Sequence, residues 1–306
     1  MDPDTFLTTL YVLVDERCRE LPEVRRRGPE PALSRSEAIT LALFSQWGRF
    51  GSERDFYRYA DRRLRGAFPR LPHRTQLNRQ IRRERDALVA IGHAVADLLG
   101  ARAGEYEVLD GTAAPVRNVK RSGSGWLGGQ AAIGKSSRLG WFEGFMVLIA
   151  ADPDGVITGH GFGPGNTKDQ TLAETFFAAR RTPQPRLPSV GHPSGEPYVA
   201  DSGFIGAKRH ADWAEAYGAR VICPPYRSAA KNWPPALRRW LGGLRQVIES
   251  VNGKLVTHFR LDRDRPHTLD GFAARLAAKV ALHNACCWLN RHLGRPTLAF
   301  ADLLSW

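Results

Sequence analysis

The spacing of apolar positions divides the chain near residue 100. Before that point it is helical throughout. Phe6, Leu7, Leu10, Tyr11, Leu13 and Val14 recur with the period of a helix face, and residues 38–44 form a second apolar run. A link rich in proline and arginine, residues 21–31, separates the two. Ser34-Arg35-Ser36-Glu37 carries the capping-box spacing, in which a hydroxyl and a carboxylate satisfy each other's free backbone amides. After Pro72, Thr75 is expected to cap a short helix with Leu77 and Ile81 inward and Arg79, Arg82 and Arg83 largely outward. That arrangement suits a helix-turn-helix reader of DNA, and it suits a solvated charged face equally well. Residues 1–100 are therefore expected to form an all-α N-terminal domain.

From residue 101 the pattern mixes strands with helices. Residues 106–109 form a short apolar strand ending at Asp110-Gly111. Residues 144–151 and 156–162 predict a hairpin about Asp152-Pro153-Asp154-Gly155. The turn occupies Asp152 and Asp154 with backbone contacts and removes them from the chemistry. A helix is expected over 167–180, a loop over 182–197, and a brief strand over 198–200 ending at Asp201-Ser202-Gly203. A helix over 207–217, a strand over 220–223 and helices over 235–258 and 268–293 follow. Three strands, then alternation, then terminal helices give an α/β class: a mixed sheet with helices on its faces, spanning 101–306.

Charge changes the picture next. The formal net charge is +13, and most of the excess is arginine, whose planar fork matches phosphate oxygens. A surface this basic points to nucleic acid without saying whether the protein cuts it. A hydrophobic fraction of 42% excludes global disorder. The four cysteines form no CxxC pair, and His283 and Cys286 lack a second pair, so they read as helix packing. No apolar run is long enough to span a bilayer and the start is not that of a signal peptide; a soluble, cytoplasmic protein without a membrane partner is expected.

Asp110 and Asp201 stand in matching places, each closing a short apolar strand just before a glycine. Two such aspartates on neighbouring strands could share one cation. Glu249 follows Arg245 by one helical turn, with Asn252 on the next turn. Taken singly, each has a plain structural account: Asp before Gly is a turn residue, and Arg245–Glu249 is a helix ion pair. Three carboxylates from two strands and a helix can also hold magnesium, which prefers oxygen ligands and keeps waters. Gly129-Gln130-Ala131-Ala132-Ile133-Gly134-Lys135-Ser136 matches the phosphate-loop pattern. Neither a preceding strand nor a following helix is expected there, so it reads as a flexible basic loop rather than an ATPase site.

The order of these pieces brings a family into view. From about residue 107 onward the chain resembles the DDE transposases of bacterial insertion sequences. Val108-Leu109-Asp110-Gly111 is similar to that family's first-strand motif. Asp201-Ser202-Gly203-Phe204-Ile205 is similar to its second, and Arg245-x-x-x-Glu249 to its third-carboxylate helix. Between them, Gly163-Pro164-Gly165-Asn166-Thr167-Lys168-Asp169 resembles the segment after the hairpin. Leu282-His283-Asn284 and residues 289–296 resemble the closing helix, and residues 71–79 the N-terminal part. The chain departs from the family at Gly242 and Val256, where many relatives carry Tyr and Lys, and at residues 144–148, which lack two polar residues.

The resemblance implies a ribonuclease-H-like catalytic domain and metal-dependent cleavage and strand transfer on double-stranded DNA by in-line phosphoryl transfer. It implies two Mg²⁺ ions, with Mn²⁺ as a substitute, held by Asp110, Asp201 and Glu249, and a homodimer in the synaptic complex. Arg79, Arg82, Arg83, Arg227, Lys231, Arg238, Arg239 and Arg245 are expected to contact DNA, with Lys254 or Arg260 standing in for the missing lysine. The rival readings are a nuclease of the same fold that never joins ends, and a DNA-binding relative without catalysis.

Overall fold

Helix follows helix through the first hundred residues of the computed structural model, which describes residues 1–23, 28–117, 126–181, 197–224 and 233–306. Helix α1 (Pro3–Glu20) is capped by Asp2, whose side chain accepts from the amides of Asp4 and Thr5. Helix α2 (Arg35–Phe44) has the expected capping box: the Ser34 amide donates to Glu37 Oε2 at 2.6 Å, and the Glu37 amide to Ser34 Oγ at 3.1 Å. Helix α3 (Glu53–Arg63) buries only Phe56 and Ala60. Helix α4 (Arg74–Arg83) starts earlier than expected, because His73 rather than Thr75 is its cap. The His73 ring accepts from the Thr75 amide, and Thr75 itself lies within the first turn. Leu77 is buried and Ile81 half-buried, as the pattern requires. Helix α5 (Arg85–Leu98) completes the series.

The sheet has six strands: β1 (Glu107–Arg117), β2 (Ala132–Ser136), β3 (Gly140–Ala151), β4 (Ile157–Pro164), β5 (Pro197–Ala200) and β6 (Arg220–Ile222), in the order β2-β3-β1-β5-β6 with β4 also on β3. β3 runs antiparallel to β1 along its length and shares its other edge between β2 and β4. β1, β5 and β6 are mutually parallel. The hairpin is as expected: Asp152 Oδ1 accepts from the amides of Asp154 and Val156, and Gly155 takes a positive φ of 83°.

Two expectations fail here. β1 does not end at Asp110, because residues 111–117 continue the antiparallel ladder with β3, and Ala113, Ala114 and Val116 are buried. The segment taken for a flexible loop contains strand β2, paired through Gly134, Lys135 and Ser136 with β3. A backbone extended there cannot wrap its amides around a phosphate, and Gly134 is pressed against the Gly165 carbonyl where a Cβ would collide.

Helices α6 (Asp169–Arg181) and α7 (Ala207–Tyr217) cover one face of the sheet. Helices α8 (Pro235–Thr257) and α9 (Leu269–His292) cover the other, together with the N-terminal helices. Strand residues alternate between the two layers. Val108, Ile149 and Val199 face α8 and α9, while Leu109, Ala150 and Ala200 face α6 and α7. α9 is buried over most of its length, and its polar residues are spoken for. Asn284 donates to the carbonyls of Gly92 and Ile157 and accepts from the Ile157 amide. His283 bonds the Gly155 carbonyl at 2.8 Å, and Cys286 and Cys287 are buried beside it.

Candidate active site

Register brings the two aspartates together. The parallel ladder pairs Val108 with Val199 and Leu109 with Ala200, so Asp110 and Asp201 stand next in line on adjacent strands. Neighbouring strands lie about 4.8 Å apart, close enough for the two carboxylates to repel. Alternation turns Asp110 toward α8. There Asn252 donates from Nδ2 to Asp110 Oδ2 at 2.8 Å. Asp201 has local work as well: it caps a short 3-10 turn, Ser202–Phe204, and its Oδ1 accepts from the Gly203 amide at 2.7 Å.

A third carboxylate joins from the opposite layer. Asp169 opens α6 and lies over Gly111, where a Cβ would stand 2.5 Å from its Oδ1. Its Oδ2 also lies near Gly203, 3.5 Å from where a Cβ there would be. The Oδ1 atom is buried and has no donor among the described residues. In the sequence, Asp169 is only the last residue of the segment after the hairpin, with no role of its own. Its signal was the small residue Gly111 after Asp110, which leaves room for a group from above the strand.

The electrostatics follow from this crowding. Burial, then the charge of Asp201, push the Asp110 carboxyl up to about 7; Asp169 adds to the rise, while the Gly111 amide and Asn252 oppose it. Asp169 is raised by burial and by Asp201. Carboxyls held above their ordinary range by burial and then by a neighbouring carboxylate form a place where positive charge is stabilising.

Glu249 does not join them. Its side chain is 61% exposed and faces Arg245, whose Nη2 is 3.5 Å from Oε1. Among the described residues, no three His, Cys, Asp or Glu side chains converge tightly enough to hold an ion by themselves. Around Asp110, two buried oxygens have no donor among the described residues, Asp169 Oδ1 and Asn252 Oδ1. A hydrated cation among the carboxylates would satisfy the Asp169 oxygen. Magnesium is commonly held in that manner, by one or two carboxylates plus substrate phosphate, so the donor set fits such an ion.

The basic residues spread over several surfaces. Arg79 and Arg83 are exposed and Arg82 half-buried; with Arg85 they rim a shallow depression that also holds Asp86 and Asp270. Arg238 and Arg239 are exposed at the start of α8, and Arg245 lies further along it. Lys254 turns toward the Phe300 ring, and Arg260 donates to the Phe50 carbonyl. Arg227 and Lys231 lie outside the described residues. A cleft of about 340 Å³, not foreseen from the sequence, opens between α3, α4 and the α8–α9 connection, lined in part by Arg54, Arg74, Asn78, Arg263, Arg265 and His267. Arg74 is half-buried there and makes no ion pair with a described residue. No described helix is long and apolar enough to cross a membrane.

A search of curated proteins and a search of solved structures each return no significant match. A family model described as the transposase DDE domain matches residues 108–285, from the strand of Asp110 to the middle of α9, and takes in Asp169, Asp201 and Glu249. That span is more than half of the chain, and with it the chain belongs to the DDE transposase family.

Proposed function

We propose that this chain is an insertion-sequence transposase that cleaves the ends of its element and joins them to target DNA by in-line phosphoryl transfer. One observation carries the reading: within a chain of this family, the β1–β5 register aligns Asp110 with Asp201. Residues 101–306 are proposed as a ribonuclease-H-like catalytic domain, and residues 1–100 as the helical part that recognises the element's ends. The substrate is double-stranded DNA in the bacterial cytoplasm, and a homodimer holds two ends together in the synaptic complex.

Asp110, Asp201 and Glu249 are proposed to hold divalent ions, two Mg²⁺ with Mn²⁺ as a substitute. Bound there, such ions supply Lewis acidity to the attacking and leaving oxygens of a phosphodiester. The protein's part is positioning. Asp110 and Asp201 are fixed by the sheet, and Asp110 is further fixed by Asn252. Glu249 lies on α8 one turn before Asn252 and must swing inward. Its pair with Arg245 is an exposed one worth about 0.3–0.5 kcal/mol, so a phosphate that draws Arg245 away releases it cheaply. Arg238, Arg239 and Arg245 on the same helix would steady the backbone of the DNA end.

The test is cleavage of a labelled duplex from the native element's end, with Mg²⁺ or Mn²⁺ and with EDTA. Asp201→Asn should abolish nicking and leave binding of the duplex intact. Unchanged cleavage would sink the assignment. The outward Glu249 favours a second reading, a relative that binds DNA without turnover. It requires tight binding and no cleavage with any metal. A plain nuclease would nick the duplex and give no strand-transfer product.

A further inference from the structure

Asn252 is the least explained residue in the core of α8. Its neighbours Val251 and Leu255 are apolar and fully buried, as a helix facing a sheet requires. Asn252 itself is only 8% exposed. Its Nδ2 reaches Asp110 Oδ2, and its Oδ1 is buried with no donor among the described residues. Burying an unpaired amide oxygen costs about 1–3 kcal/mol, a cost that a leucine of similar volume would avoid. Packing therefore gives no reason for the amide. Its donor end holds Asp110, and its acceptor end, on the same amide, has no donor among the described residues.

We infer that Asn252 is a positioning residue for the divalent ion, with Nδ2 fixing the Asp110 carboxylate and Oδ1 accepting from a water in the ion's shell. The inference rests on the proposed metal site. An amide suits this role better than an acid or a base. Its nitrogen gives Asp110 a donor without a competing positive charge, and its oxygen orients a water without adding to the repulsion among Asp110, Asp169 and Asp201. The division of labour follows from which atom faces the carboxylate. An ionised Asp110 accepts from the nitrogen, so the oxygen is turned to the remaining space. Second-layer contacts of this kind hold ligands in place, and their loss commonly costs 10–100-fold in metal affinity.

The experiment is a Mn²⁺ titration of the full chain without DNA, reading free Mn²⁺ by electron paramagnetic resonance. Wild type, Asp110→Asn, Asn252→Leu and Asn252→Gln are compared, with a thermal melt of each. Asn252→Leu should stay folded yet bind Mn²⁺ at least tenfold more weakly. Asn252→Gln, which keeps both ends of the amide, should recover most of that loss. A residue present only for structure would show the reverse, a lowered melt with affinity intact. If Asn252→Leu does not fold, Asn252→Ser is read in its place. Wild-type affinity in the Leu or Ser variant, with binding lost in Asp110→Asn, overturns the role of Asn252 and leaves the metal site standing. No Mn²⁺ binding by wild type, or none lost in Asp110→Asn, overturns both.

Discussion

A Cβ on Gly111 would stand 2.5 Å from Oδ1 of Asp169, so the strand stays bare at that position for Asp169 to reach the other carboxylates. The obstructed atom is the end of a side chain, which can rotate away. Gly111→Ala should therefore expel Asp169 from the cluster at little cost to the fold, within about 1 kcal/mol. Cleavage should fall at least about tenfold, or about 1.4 kcal/mol of transition-state stabilisation, and Asp169→Asn should match it. Single-turnover cleavage of both variants checks this; wild-type rates would show that Asp169 is a bystander. Gly144→Ala is the contrast, because there the clash is with the Ala114 carbonyl and the backbone of β1 must move.

The metal-free protein should lose stability as the pH rises from about 4 to about 7. Asp110 has an ordinary value of 3.8 and is held at about 7 in the fold, chiefly by burial. The folded state therefore keeps its proton when the unfolded chain has released it, and each step up in pH favours unfolding until both have ionised. Asp152, raised to about 6 by burial, adds a slope of the same sign. Urea melts at pH 5 and pH 7.5 should show a smaller drop in Asp110→Asn, with the Asp152 part remaining. Mg²⁺ should restore stability at the higher pH only, and an equal effect at both would contradict the cation's place beside Asp110.

Arg180 should be among the costliest residues to remove. It is buried, pairs with Glu107 on β1, donates to Tyr198 Oη on β5 at 2.9 Å, and donates to the Thr158 carbonyl on β4 at 3.0 Å. It thus ties α6 to three strands just before the ladder reaches Asp110 and Asp201. Arg180→Ala leaves Glu107 charged in the interior, and a loss of about 3–5 kcal/mol is expected in urea unfolding. Adding Glu107→Leu should recover part of it; a single variant as stable as wild type would mean that the ion pair is idle.

The cleft at Arg74 and Arg265 should touch DNA phosphates. Arg74→Ala and Arg265→Ala are each expected to weaken binding similarly for all sequences and to lower the salt slope by about 1. Fluorescence anisotropy over a range of salt concentrations measures both quantities. An unchanged slope would remove the cleft from the DNA path.

Local order was legible where the signal is local. Ser34 and Glu37 specified a helix start, Asp152 and Gly155 a hairpin, and the apolar faces of α8 and α9 their spans to within a residue or two. Pairing between distant segments was not. Whether β1 stops at Asp110 depends on β3, which lies along it as far as Arg117, and β2 exists because β3 offers it an edge. Asp110 and Asp201 could be chosen from their matching settings before glycine. Asp169 could not, since a carboxylate at the start of a helix is ordinary until a bare Gly111 is found beneath it. Asn252 was visible only as a place on a helix turn, because its partner is supplied by another layer of the fold.

The β1–β5 ladder also sets when the carboxylates meet during folding. Leu109 and Ala200 are far apart along the chain, with the β3–β4 hairpin and α6 between them. Local hairpins close in microseconds, whereas parallel pairing across a long crossover waits on loop closure. Repulsion of Asp110 and Asp169 by Asp201 therefore arises only once β5 has docked on β1. Before that docking the cluster lacks Asp201, whose charge raises both Asp110 and Asp169. The completed acid cluster is in this sense a late product of chain topology, and variants that slow β5 docking should delay it even when the finished fold is unharmed.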